Sequence, residues 1–291
     1  MTRARSRGIA KKAARAAVVL GARAGWQLAS PRSRAVVRVL TYHRFGRITR
    51  DPFCVTPEDF EAHVALLSRE GRAVSLEDVI AFAKGERHLP EDACLVTMDD
   101  GYVSMLETAL PILAKHRVPS VAFITASFVD AARIQGQPEP FLTKAQLRAM
   151  HEGGMTIGAH AFTHRSMGKL SIAEAREEIV RAKKTLEDAL GAPVTSWAYP
   201  FGTHGDFSEA TDRALEEAGY TVTFHSQHGP VVPGMITPGT PLRSLPRIKV
   251  ESGESLTQLD AISRGAMDGW SIVDRNLWRL QRVRADVVPD A

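Results

Sequence analysis

The sequence is poor in cysteine, in long apolar runs and, over its first 34 positions, in acidic residues, and each shortage narrows what the protein can be. Two cysteines in 291 residues, Cys54 and Cys94, cannot form a disulfide framework or a cysteine-rich zinc site. Cys94 opens an apolar strand pattern and reads as a small buried hydrophobe. The longest uncharged apolar stretch near the N-terminus, AAVVLGA at 16–22, lies between Arg15 and Arg23, far short of the roughly 20 residues that span a bilayer. It is also at the short limit for a signal peptide and lacks an obvious small-residue cleavage site. Acidic residues are absent from the first 34 positions, which hold nine Lys/Arg, so the remaining 257 residues carry 28 basic against 33 acidic side chains. The basic character therefore belongs to the N-terminal segment, and the body is slightly acidic. Residues 9–29 read either as a basic amphipathic helix that can lie on an anionic membrane surface or as a solvated arm. Val18, Val19, Leu20 and Trp26 call for an apolar partner, which argues against nucleic acid. The expectation is a cytoplasmic or peripherally membrane-associated protein with membrane contact through residues 1–30, export staying open.

What is present is a repeated alternation of short β-rich runs and longer helical ones, in a chain that is 44% apolar and so able to bury a sizeable core. AVVRVLTYH (35–43), ACLVTM, SVAFITA, MTIGAH, SWAYPFG, TVTFHS and LPRIKV read as strands. Helices are expected at 57–71, at LEDVIAFAKG, and at 103–117, 143–152, 171–190 and 207–220; Ser171 with Glu174 forms a capping box for the fifth. This order implies a parallel sheet closed or nearly closed into a barrel, whose chemistry collects at the carboxyl ends of its strands. The Pro/Gly-rich stretch 226–246 is long enough to be a wall or lid over a site. Two C-terminal helices follow, the second placing Trp270, Val273, Leu277, Trp278 and Leu280 on one face for packing against the barrel. The domain division is thus 1–34 as a basic segment, 35–252 as the body and 253–291 as a helical extension.

Four strand ends carry reactive side chains. LVTMDDGY (95–102) sets Asp99 and Asp100 side by side at the end of a buried run; a polar turn and helix cap would account for it, and so would a cation. Adjacent carboxylates raise each other's pKa unless one is neutralised by a positive charge. GAHAFTH supplies His160 and His164 at i and i+4, able to converge if the segment turns helically after the strand. With Asp100 they make a two-His, one-Asp ligand set that leaves positions open, as catalytic zinc requires. Asp99 is then left to act as base toward water, and His43, ending TYH, has an unperturbed pKa suited to an acid. WAYPFG contributes Tyr199 and Phe201 as a wall for a sugar face or acyl methyl, with Trp197 as core. His225 and His228, in HSQH, read as loop residues.

These motifs, in this order, resemble the polysaccharide deacetylase family, the NodB-homology or carbohydrate esterase family 4 group. TMDDG is similar to its T-F-D-D-G motif, HAFTH to H-[ST]-x-x-H, and WAYPFG to its Pro-aromatic-Gly motif. The resemblance covers residues 36–250. It implies a distorted (β/α)7 barrel, a divalent metal, usually zinc, and removal of N-acyl groups from amino sugars of a polysaccharide or lipid-linked saccharide. By motif position it implies Asp99 as base, Asp100, His160 and His164 as metal ligands, and the backbone N–H of Phe201 as an oxyanion donor. Met98 and Ala161 depart from the pattern as packing changes; Ala198 stands where many members have an arginine that orients the base. Arg247 in LPRIKV is the candidate replacement. Neither D-x-x-D-W nor L-x-H follows, and the YH element is similar to a branch with poly-N-acetylglucosamine deacetylases in which the early histidine acts as acid, here His43. A same-fold amidase or deformylase for a small amide, and a catalytically silent carbohydrate-binding protein, are the alternatives.

Overall fold

The computed structural model describes residues 35–48, 51–131, 137, 139–237, 239 and 242–276, together with Ala17 and Gly21. The basic N-terminal segment, and Leu277, Trp278 and Leu280 of the last expected helix, lie outside the described residues. Strands form where β-branched and aromatic residues run between breakers: β1 (Val37–Tyr42), β2 (Arg44–Phe45), β3 (Cys54–Val55), β4 (Ala93–Asp100), β5 (Ser120–Ile124), β6 (Thr156–Ala159), β7 (Ser196–Ala198), β8 (Val222–Phe224) and β9 (Ile248–Lys249). Helices are α1 (Pro57–Arg69), α2 (Leu76–Ala83), α3 (Leu110–His116), α4 (Lys144–Glu152), α5 (Ile172–Leu190), α6 (Glu209–Glu217), α7 (Leu256–Ser263) and α8 (Ser271–Asn276). Among the described residues no helix is long and apolar enough to cross a membrane.

Seven strands form one parallel sheet in the order β8-β7-β6-β5-β4-β1-β9. The sheet curls until its two edges nearly meet. Leu245 bonds to β8 through Thr223 O and His225 N, and three residues later Ile248 pairs with Leu40 of β1. Both faces are buried, which is why β1 and β4 read as near-continuous apolar runs. On one face Val37, Val39, Leu95, Val121 and Phe123 pack with α2. On the other, Leu40, Val96 and Met98 join a larger core with α1, α4 and α5. Alternation along β4 thus carries Ala93, Leu95, Thr97 and Asp99 to the first face, ending an apolar column in a carboxylate at the strand tip.

Two expectations need correction here. The helix expected over 103–117 begins with a π-helical turn, Met105–Ala109, and becomes α-helical only at Leu110, because Pro111 has no N–H to donate and its ring crowds the preceding turn. Of the stretch 226–246, expected as a wall or lid, Ser226 alone among the described residues lines the cavity, and the described remainder runs elsewhere. Val231 pairs antiparallel with Val37 at the amino end of β1, and Gly234 and Ile236 donate to Ala83 O, so the chain descends away from the strand tips. His225 and His228 lie in the loop after β8 as expected, and both are engaged there: His225 stacks on Phe207 at 5.2 Å, and buried His228 is bonded to Asp274 of α8 at 2.8 Å.

Candidate active site

The carboxyl ends of β1, β4, β6 and β9 and the loop after β7 surround a cavity of about 460 Å³, lined among others by His43, Asp99, Asp100, His160, His164 and Phe201. Strict alternation would send Asp99 and Asp100 to opposite faces of the sheet. Asp100 instead adopts φ +86°, and Gly101 follows at +96°, so the chain turns at the tip and both carboxylates face the cavity. Of the seven non-glycine residues at positive φ among the described residues, four lie at this site: Asp100, Ala161, His164 and Phe201. Such conformations cost on the order of 1–3 kcal/mol each and persist only where surrounding contacts impose them.

Those contacts are visible for the histidines. His160 and His164 do not share a helical turn, as their spacing suggested; residues 160–166 form a loop that reverses through Ala161 and His164. The loop is held by Glu178 of α5, which is buried. Its Oε2 accepts from the N–H of Phe162 and of Thr163 at 3.0 and 2.8 Å, and its Oε1 from Thr163 Oγ1 at 2.6 Å. Sequence reasoning missed Glu178, although a signal existed. It falls on the same helical face as Ala175, Ile179, Ala182 and Leu186, where a carboxylate has no reason to be unless it finds donors.

His160 Nδ1 sits 2.7 Å from the carbonyl oxygen of Ala198. A carbonyl only accepts, so Nδ1 carries the proton and Nε2 presents its lone pair. Burial pushes the His160 pKa down to about 4, which keeps the ring neutral. Nε2 of His160 and of His164 lie 3.5 and 3.3 Å from Asp100 Oδ1. Ligand atoms about 2.1 Å from one ion in tetrahedral array are separated by roughly 3.4 Å, so this donor set fits a divalent cation of zinc's size. All three ligand atoms lie within 4.8 Å of one another. Burial works to raise the Asp100 carboxyl pKa, but His164, His43 and His160 outweigh it and hold the group well below the usual range.

Asp99 is settled differently. Arg247, fully buried, forms two parallel bonds to it, Nη1–Oδ1 and Nη2–Oδ2, both 2.7 Å. This fork-to-fork pairing supplies, from the residue just before β9, the arginine that is missing at Ala198. Burial alone would raise the Asp99 pKa; Arg247 first and His160 next bring it below the ordinary value. His43 lines the same cavity, its ring 4.7 Å from that of Phe53, and its Nδ1 is buried with no hydrogen-bond partner. Its pKa is not the unperturbed one expected: burial lowers it to about 4 against the opposing pull of Asp100 and Asp99, so the resting ring is neutral at pH 7.

After β7, Phe201 (φ +61°) and Gly202 (φ +60°) form a tight left-handed turn, and a Cβ on Gly202 would come 2.5 Å from Ser226 N. The Phe201 ring lines the cavity edge-on to His164, at 4.9 Å. Tyr199 does not join it, contrary to the wall expected there. Two residues earlier, just past the end of β7, it is wholly buried among Trp197 and Phe207, and its hydroxyl donates to Asp212 Oδ1 at 2.8 Å. Tyr199 thus packs under α6, and Phe201 is the ring that reaches the cavity.

A family model for polysaccharide deacetylases matches residues 86–223. The chain is 24% identical over 222 residues to YxkH of Bacillus subtilis (strain 168), whose name assigns it provisionally to the polysaccharide deacetylases; the match covers 76% of this chain and 74% of that one. It is 22% identical over 191 residues to the poly-beta-1,6-N-acetyl-D-glucosamine N-deacetylase of Staphylococcus epidermidis, covering 62% of this chain and 64% of the relative, just under two thirds of its length. Among solved structures, IcaB from Ammonifex degensii superposes with a TM-score of 0.67 at 25% identity over 79% of this chain and 98% of that one. The Streptococcus pyogenes deacetylase PplD, solved with acetate, gives 0.65 at 22% identity over 78% and 97%. The resemblance to the polysaccharide deacetylase family and its (β/α)7 barrel-like fold is borne out.

Proposed function

We propose that this chain, a relative of the polysaccharide deacetylases by motif, fold and family model, is a divalent-metal-dependent hydrolase that removes N-acetyl groups from the amino sugars of a glycan or lipid-linked saccharide. One observation carries the reading: a two-His, one-Asp donor set converges beside an arginine-paired aspartate in a cavity large enough for a sugar unit. The names of the relatives, one a poly-beta-1,6-N-acetyl-D-glucosamine N-deacetylase and one a structure with acetate, favour an N-acetylated polysaccharide.

In this reading Asp100, His160 and His164 hold the cation, zinc in the first place, which supplies Lewis-acid polarisation of the amide carbonyl and lowers the pKa of water toward about 7. Arg247 fixes Asp99 in its ionised form with both oxygens oriented, so Asp99 is ready to take a proton from the attacking water. The Phe201 N–H, which donates to no protein group among the described residues, stabilises negative charge on the carbonyl oxygen as it goes tetrahedral. His43 protonates the leaving amine. Because it rests neutral, it first takes up a proton from solvent, which the negative charge developing in the cavity favours, and then passes that proton to the amine.

The test is purified protein assayed for metal content and for acetate released from N-acetylglucosamine oligomers, including β-1,6-linked ones, and from lipid-linked N-acetylated saccharides. Chelation is expected to abolish release and zinc to restore it. Sugar binding without release of acetate would overturn the enzyme reading in favour of a silent carbohydrate-binding protein, and turnover confined to small formyl or acyl amides would establish the amidase alternative. Membrane association through the basic segment 1–30 is part of the same proposal; co-sedimentation with anionic but not neutral vesicles is its expected sign.

A further inference from the structure

Strand β9 and the residue before it carry two cations on the cavity side. Arg247 and Lys249 are two residues apart and so project to the same side, while Ile248 between them is buried in the core. Arg247 is engaged with Asp99. Lys249, one layer nearer the mouth, lines the cavity, and its Nζ donates to the carbonyl oxygen of Phe201 at 3.2 Å.

That carbonyl belongs to the strained turn. Phe201 at φ +61° carries a Cβ that crowds its own carbonyl, at a cost of about 1–2 kcal/mol that favours relaxation to a right-handed conformation. The turn is clamped on its far side by Gly202, whose N–H donates to Pro200 O at 2.7 Å and whose O accepts from Ser226 N at 2.8 Å. On the near side the Lys249 ammonium holds the Phe201 carbonyl. Relaxation of Phe201 would rotate the adjoining peptides, and the Phe201 N–H would leave its direction.

We propose that Lys249 is the positioning residue of the oxyanion donor: by holding the Phe201 carbonyl it keeps Phe201 left-handed and its N–H aimed at the carbonyl that becomes tetrahedral. This inference rests on the deacetylase reading. Lys249 acts through Phe201, so its effect falls on the transition state and not on ground-state binding of the sugar. The position could have been suspected from the sequence, since R-I-K on a short edge strand places two cations on one face.

The experiment compares wild type, Lys249→Met and Lys249→Arg, each loaded with zinc, for kcat and KM of acetate release from an N-acetylglucosamine oligomer. Zinc content, thermal midpoint and affinity for a glucosamine methylphosphonamidate, a tetrahedral analogue, are measured beside them. Lys249→Met is expected to lower kcat by about 10- to 100-fold with KM within about two-fold, and to weaken the analogue in the same proportion as kcat/KM. Zinc content and midpoint stay at wild-type values, and Lys249→Arg recovers most of the loss. A kcat within about three-fold of wild type for Lys249→Met, a loss confined to KM, or a loss that tracks zinc or the midpoint overturns the inference. If wild type itself releases no acetate from any N-acylated substrate, the deacetylase reading fails and this inference with it; turnover by wild type with Lys249→Met unimpaired overturns this inference alone.

Discussion

At the amino end of strands β1 and β4, Arg38 is buried against Asp92, Asp268 and the carbonyl of Ser263, with every guanidinium nitrogen in a hydrogen bond. Arg72 beside it reaches Glu70, Asp260, Ser263 Oγ and the carbonyl of Asp92. At the carboxyl end of the same two strands, roughly 20 Å away by strand rise, Asp100 and two imidazoles face each other at 3.3–3.5 Å. There His43 Nδ1 has no partner, and Phe201 is strained. Both ends bury charge. The lower network is closed: it matches donors to acceptors and ties α7 and the turn at Asp268–Trp270 to the barrel. The upper one leaves lone pairs and a donor unmatched, which a structure tolerates where a ligand completes the set.

The comparison breaks most sharply if Asp100→Asn behaves like a lower-end mutation. It is expected to lower zinc content and to cut acetate release by at least about a thousand-fold, while the metal-free protein loses far less stability than Arg38→Met does, because the lost contacts to His160 and His164 are partly offset by removal of a like charge beside Asp99. Arg38→Met is the converse. It strands Asp92 and Asp268, and urea denaturation is expected to show a loss of about 3–5 kcal/mol with kcat per folded molecule nearly unchanged.

His43→Asn sharpens the division of labour inside the upper network. Zinc should stay bound while kcat falls about 100-fold or more, as removal of a proton donor does. Intact turnover would remove His43 from the chemistry. Glu178→Gln tests the support behind the ligands: it keeps the shape but weakens acceptance from three donors, and zinc titration is expected to show affinity lower by about 10- to 100-fold.

The smallest effect concerns Asp212, whose pKa burial raises to about 6 beneath Tyr199. A carboxyl raised above its unfolded value of about 4 stabilises the fold in full below that value, and the benefit is lost as pH climbs toward 6. Wild type is therefore expected to lose on the order of 2 kcal/mol relative to Asp212→Asn between pH 4 and pH 7, read by denaturation at each pH. Asp99 and Asp100 carry the opposite sign: their pKa values are depressed, so their contribution is present above about pH 4 and lost on acidification through the folded values.

Much of the fold was legible because it is written locally. Apolar runs ending in polar residues marked the strands, and Ser171 with Glu174 marked the start of α5, where the capping box is found. The reactive side chains were legible too, since strand tips announce themselves as charge interrupting a buried run. What is not legible is conformation that depends on distant partners. The i and i+4 spacing of His160 and His164 suggests convergence through a helical turn, yet a carboxylate sixteen residues away from Phe162 fixes a left-handed loop. Sequence neighbourhood leaves Tyr199 open between cavity wall and core, and α6, by covering it, decides for core.

What the sequence determined by itself is the order of strands and helices and the identity of the groups that end the strands, because hydrophobic period and turn chemistry act within a few residues. Only the tertiary structure decided that β9 closes the curl beside β1 and sets Arg247 against Asp99, 148 positions earlier in the chain. It alone turned two adjacent aspartates into one neutralised by a guanidinium and one left facing two imidazoles. The reason is physical: a buried charge takes its state from whichever partners packing brings within a few ångströms, and packing is a property of the whole chain.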